Sequence, residues 1–323
     1  MSTPDHQELA RLLPTPTDQD LPPVRHRHHK ELLMHTIDGD RSRARRRLMR
    51  PPIALPLAAA AVAAAVLVTV LPRTHQDGSA VRIEAAAPGT AHGATALLDR
   101  LAAVALTANV GPVRDDQYVY VRSKATRTAH IKPVEAGELK DREDWRPQDL
   151  RPTGDVGVFR QDGEFVPIHS EPTPAGIHRP TYGWLASLPT EPDALYQRIR
   201  QESSPVQGQD FDQTVFDSFG SLLGETVMPP KIQAALYKAA AKIPGVVETS
   251  DGADADGRHG LAIAREDRQR CQRTEWIFDR ATLAFLGQRT FLTRTSEWGK
   301  AGTLVWANAI LERAVVDRPR QLP

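Results

Sequence analysis

The sequence predicts an α+β domain, an antiparallel sheet packed against several helices, carried outside a membrane by one transmembrane helix. Three observations lead there. Residues 93–243 hold four stretches whose apolar side chains recur at helical spacing, residues 246–316 hold β-rich runs joined by short turns, and residues 53–71 carry no charge. Strands so closely linked leave no room for crossovers, so they pair antiparallel, with the helices gathered on one side.

The uncharged run, IALPLAAAAVAAAVLVTVL from Ile53 to Leu71, is closed by Pro51 and Pro52 before it and Pro72 after it. Nineteen helical residues reach about 28 Å, close to the hydrocarbon thickness of a bilayer. Arg45, Arg46, Arg47 and Arg50 stand just before it, with Arg41 and Arg43 further back, while Arg73 alone follows. That asymmetry holds the N-terminus in the cytoplasm and sends residues 73–323 across. The alternative is a cleaved export signal, since the arginines loosely match a twin-arginine motif and eight of the nineteen residues are alanine. The long stretch before the arginines favours a retained anchor.

Residues 1–50 form the cytoplasmic tail, expected to be partly disordered. Glu8–Leu13 starts a short helix that Pro14 and Pro16 stop. A second spans Val24 to Ile37, with Val24, Leu32, Leu33 and Ile37 on one side. It is too short to fold alone and makes these four residues the candidate partner-binding set. His26, His28, His29 and His35 lack a cysteine or carboxylate at ligand spacing and read as solvated side chains.

Residues 73–92 are small and polar and read as a linker, placing the domain at 93–323. Ala94, Leu97, Leu98, Leu101, Ala105 and Leu106 give a first amphipathic helix. Tyr118–Ser123 reads as a strand, and Val156–Arg160 with Glu164–Ile168 as a hairpin turning on Gln161-Asp162-Gly163. Thr190-Glu191-Pro192-Asp193 has the form of a capping box ahead of Leu195, Tyr196 and Ile199. Val215, Phe216, Phe219, Leu222, Leu223 and Val227 make a third apolar face, and Lys231–Ile243 a fourth helix stopped by Pro244-Gly245. Strands then follow at 246–250, 261–265, 274–278, 283–293 and 303–316.

Charge separates the two ends only mildly. Residues 1–50 carry ten Lys/Arg against seven Asp/Glu, and residues 73–323 thirty-one against thirty-three. The one basic run abuts the membrane segment, which argues against direct nucleic-acid binding. Cys271 is the single cysteine, read as an inert thiol on a strand, so no intramolecular disulfide can form. Asp254-Ala255-Asp256-Gly257 resembles a calcium loop, but Gly252 and Ile263 stand where acids are needed, which leaves a polar turn. There is no G-x-S-x-G motif, and Gly220-Ser221-Leu222-Leu223-Gly224 continues an apolar helix and reads as core packing. No Walker A, HExxH or dinucleotide motif occurs, so neither enzyme chemistry nor a cofactor nor a small-molecule substrate is indicated. Trp145, Trp184, Trp276, Trp298 and Trp306 are either core residues or the lining of a concave apolar surface.

Several landmarks together resemble a family of actinobacterial single-pass membrane proteins carrying a locus-tag name. They are Leu12-Leu13-Pro14, Asp20-Leu21-Pro22-Pro23, Arg25-His26-Arg27 and Lys30-Glu31 in the tail, then Tyr118–Ser123, Trp184–Leu188 with Pro189-Thr190, Pro229 to Val246, Ile277-Phe278-Asp279 and Leu286–Thr290. The resemblance implies an anti-sigma-like layout, in which a cytoplasmic tail binds a sigma factor or other regulator and an exported domain senses. For that exported half it implies a fold similar to lipoprotein-carrier and RseB-like domains. Zinc-type anti-sigma tails use a histidine–cysteine motif, and this tail has no cysteine. The expected function is therefore a membrane-anchored regulator and sensor, with an anchored extracellular binding protein for a lipid or cell-envelope ligand as the alternative.

Overall fold

The computed structural model describes residues 90–126, 133–134 and 137–323. The tail set Val24, Leu32, Leu33 and Ile37, the histidines, Arg45, Arg46, Arg47 and Arg50, and the span Ile53–Leu71 lie outside the described residues. Among those that are described, no helix is long and apolar enough to cross a membrane.

Nine strands form one open antiparallel sheet. β1 (Tyr118–Thr126), β2 (Leu139–Pro147), β3 (Thr153–Gln161) and β4 (Glu164–Thr173) make an N-terminal meander. β5 (Val247–Ala253), β6 (His259–Asp267), β7 (Gln272–Phe278), β8 (Phe285–Leu292) and β9 (Leu304–Val316) make a second. The two join where β1 pairs with β9, giving the order β4-β3-β2-β1-β9-β8-β7-β6-β5. α1 (Ala91–Thr107) precedes β1, while α2 (Tyr182–Ala186), α3 (Pro192–Glu202), α4 (Phe211–Glu225) and α5 (Pro230–Ala240) lie between the meanders in sequence.

The helices cover one face of the second meander. Leu97, Leu98 and Leu101 of α1, Ile199 of α3, Phe216 and Phe219 of α4 and Leu236 of α5 share a buried core with Val119, Val121, Ile263, Trp276, Phe278 and Ile310 of the sheet. Alternation along each strand puts every second side chain on the opposite face. There Tyr120, Trp145, Val158 and Val316 form a separate cluster, and Trp145 Nε1 donates to the Gln321 carbonyl at 2.6 Å, which folds the C-terminus over it. The exposed edge β4 carries Pro167, and Glu248 N–H on the other edge donates to the Thr90 carbonyl. Both devices discourage pairing with another chain.

The elements follow local chemistry closely, with a few corrections. α1 starts at Ala91, two residues before the expected domain boundary at residue 93, because Thr90 is its N-cap, its side chain accepting from Gly93 N–H. Its last turn turns outward, leaving Leu106 56% exposed instead of on the apolar face. Thr190 does not cap α3: the N-cap is Glu191, which makes no side-chain capping bond, and Pro192 opens the helix with its preset φ. The β3–β4 hairpin turns on Asp162 and Gly163, both at positive φ (53° and 83°), as a two-residue I′ turn requires. Cys271 is not on a strand. It sits in the β6–β7 turn with φ 54°, half-buried, and β7 begins one residue later.

β2 has the weakest strand signature, LKDREDWRP, yet it lies between β1 and β3. Its charges are satisfied in place: Arg142 pairs with Asp144, Glu143 with Arg160 and the Tyr120 hydroxyl, and Arg146 with Glu225 of α4. Cross-strand partners and the buried Trp145 supply what β-branched residues supply elsewhere.

Candidate functional site

A cavity of about 280 Å³ lies between α4 and the helix-facing side of β6–β9. α4 explains one wall. Its apolar residues face the core, while Gln213, Asp217 and Ser221 recur every four residues and so share one flank. Asp210 caps this helix, accepting from Asp212 and Gln213 N–H, and also accepts from Arg265 Nη2 at 3.0 Å.

The sheet supplies the floor. Register places Thr274 beside Thr290 and Trp276 beside Gln288, and Gln288 and Thr290 beside Asn308 and Trp306. These positions share the face that β7 and β8 turn towards α4, and Gln272, Thr274, Gln288, Thr290 and Trp306 line the cavity. The hydroxyls of Thr274 and Thr290 are 3.0 Å apart and hydrogen-bonded. The β6–β7 turn adds Asp267 and Arg270. Arg270 donates to the Gly208 and Gln207 carbonyls, tying the approach to α4 onto the sheet.

Gly220 is what lets α4 come so close. A Cβ there would stand 2.6 Å from Trp276 Nε1 and 2.5 Å from Gln288 Oε1. Trp276 stacks on Phe216 with ring centroids 3.9 Å apart, which fixes the plane of the indole.

Two carboxylates shape the cavity's electrostatics. Asp217 accepts from Gln209 Nε2 at 2.6 Å and Gln213 Nε2 at 2.8 Å. Arg265 Nη1 donates to the Gln213 Oε1, which fixes that amide with its NH₂ towards Asp217. Burial pushes the Asp217 carboxyl up to about 6; the two amide donors and Arg265 oppose this, and the neighbouring Asp267 adds to it. Asp267 is only 2% exposed, and its Oδ1 accepts from Gln269 and Arg270 N–H. Its Oδ2 has no hydrogen-bond partner, nor do Gln288 Oε1 and Trp276 Nε1. Buried polar atoms are normally paired, so the two orphans on residues that line the hollow, Asp267 Oδ2 and Gln288 Oε1, mark where a bound molecule would complete the set.

Several sequence-predicted features fall elsewhere. The five tryptophans do not line one surface: Trp145 lies on the opposite face, Trp184 and Trp276 in the main core, Trp298 beside Val134, Leu292 and Val305, and Trp306 on the cavity wall. Asp254 organises its own turn, accepting from Asp256 N–H, Arg258 N–H and Arg258 Nε, and Asp256 pairs with Lys124. Among the described residues no three His, Cys, Asp or Glu side chains converge as metal ligands. Gly220 and Leu222–Gly224 are buried in α4, with Ser221 exposed at the cavity rim. The cavity residues themselves carry one signal that sequence reading passed over. It is the polar i, i+4, i+8 series Gln213, Asp217, Ser221 on a helix otherwise apolar.

Together the sheet, the helix layer and the polar hollow define an α+β domain with a polar cavity between its layers. No protein-family model matches the chain, and no curated protein sequence matches it. Among solved structures, the crystal structure of MucB is similar at 15% identity over 71% of this chain, with a TM-score of 0.24. The match spans 60% of the MucB chain, and at that TM-score it carries no argument.

Proposed function

We propose that this chain is a membrane-anchored sensor: residues 53–71 span the bilayer, residues 1–50 bind a cytoplasmic regulator of the sigma-factor kind, and the folded domain binds a small polar ligand outside. The cavity between α4 and the sheet carries this reading, because it leaves buried acceptors unpaired on a domain that the arginine asymmetry assigns to the far side of the membrane. Apart from the Trp306 ring its walls are carboxylate, amide, hydroxyl and guanidinium, which favours a polar ligand over a lipid. The domain acts by binding and not by turnover. Signalling then requires that ligand occupancy change how Leu32, Leu33 and Ile37 meet their partner.

Affinity purification of the full-length chain from native membranes, followed by identification of bound sigma factors, tests this. The expected result is one sigma factor that is recovered with the unaltered chain and lost with a Leu32→Asp, Leu33→Asp double variant. Recovery of none, from cells grown in any condition, contradicts the regulatory half of the reading.

A further inference from the structure

The unpaired atoms in the cavity specify the chemistry of what enters it. Asp267 is 2% exposed and Gln288 9%, and each directs one oxygen, Oδ2 and Oε1, that nothing in the protein donates to. Both are acceptors; Trp276 Nε1, which lies against the same Gly220 as Gln288 Oε1, is unpaired and donates to neither, so the missing partner is a donor. The neighbouring cations do not supply it. Arg265 donates through all three side-chain nitrogens to Pro244, Gln213 and Asp210, and Arg270 turns its Nε and Nη2 to Gly208 and Gln207. Asp217 adds a second carboxylate, held by Gln209 and Gln213, and Trp306 adds an aromatic wall.

A buried carboxylate oxygen left without a donor is costly, and a neutral hydroxyl would satisfy the hydrogen bond while adding no positive charge opposite Asp217 and Asp267. A cation with several N–H groups satisfies both needs, and an indole face is attractive to it. The volume of about 280 Å³ holds the equivalent of about nine waters at ~30 Å³ each, which fits a compact molecule. Resting on the reading of this cavity as the domain's binding site, we propose that its ligand is a small organic ammonium ion. Its N–H groups donate to Asp267 Oδ2 and Gln288 Oε1, and its charge lies near Asp217 and the Trp306 ring.

Isothermal titration calorimetry of the full-length chain in a non-ionic detergent at pH 7.5 tests this with ethanolamine and methylammonium, against glycerol as a neutral probe of similar size. Saturable binding of the amines is expected, with glycerol at least tenfold weaker. Asp267→Asn keeps the Oδ1 that the turn requires and removes the charge, so it should weaken amine binding at least tenfold. Gln288→Met serves as a second variant with the same expectation should Asp267→Asn not fold. Glycerol binding as tightly as the amines overturns the ammonium assignment but leaves the cavity as a binding site. Amine binding unchanged in both variants overturns the assignment of these two oxygens. No binding by any probe, with the protein's tryptophan fluorescence unmoved, overturns the ammonium assignment and the cavity reading together.

Discussion

Asp217 makes the protein's stability depend on pH in a direction opposite to that of most carboxylates. Its carboxyl is raised from 3.8 to about 6, chiefly by burial, a difference of about 3 kcal/mol against the ionised form. The folded chain therefore binds a proton between these two values that the unfolded chain releases. This contribution to stability is fully present below pH 3.8 and is lost as the pH rises through about 6. Asp217→Asn removes the titration; its one oxygen can accept from Gln213 while Gln209 loses its acceptor, a cost that is the same at every pH. In the linkage relation the penalty is about 1 kcal/mol at pH 4.5 and about 3 kcal/mol at pH 7.5, so the variant should gain about 2 kcal/mol on the parent between them. Because the group is only half-buried, screening reduces that to about 1–2 kcal/mol, or about 2–8 °C in Tm for a domain of this size. Thermal unfolding of both proteins, followed by circular dichroism at the two pH values, measures the quantity directly, since other titrating groups cancel in the difference. A Tm gap between variant and parent that is equal at pH 4.5 and 7.5, or larger at pH 4.5, refutes the reasoning.

Other substitutions probe the packing around the site. Gly220→Ala should gain about 1 kcal/mol of helix propensity and lose more to collision with Trp276 and Gln288, for a net loss of about 1–2 kcal/mol seen in chemical denaturation, with a shift in tryptophan emission. Glu275 is 0% exposed and paired with Arg273 and Arg289, so Glu275→Ala strands buried guanidinium groups and should cost about 3–5 kcal/mol, read as a large fall in Tm. Arg313 lies over the Phe285 ring with Nε and Nη2 unpartnered, and burial pulls its guanidinium down to about 10. Arg313→Met should therefore raise Tm by a few degrees, about 1–2 kcal/mol.

Much of this architecture is legible in the sequence, and the parts that are not have identifiable causes. The helices announce themselves because their apolar residues must all face one sheet: Leu195 and Ile199, or Phe216, Phe219 and Leu223, could be placed by period alone. The β3–β4 turn is legible because Asp-Gly suits positive φ. β2 is hidden because its stability comes from partners over twenty residues away, such as Tyr120 for Glu143 and Glu225 for Arg146, which no local pattern contains. Cys271 is misplaced by strand-like neighbours, when the turn that Asp267 organises extends through it. The cavity is illegible for a related reason. Asp217, Asp267 and Gln288 come from three elements, and only the register of β6–β8 brings their oxygens around one hollow.

The same Cys271 offers the most direct check on the whole account. It is the single thiol, it stands between Arg270 and Gln272 of the cavity, and it is partly accessible in the folded domain. A membrane-impermeant maleimide applied to intact cells that express the full-length chain should label it as fully as it does after permeabilisation. Labelling that appears only once the membrane is opened would put the domain and its cavity on the cytoplasmic side and contradict the sensor.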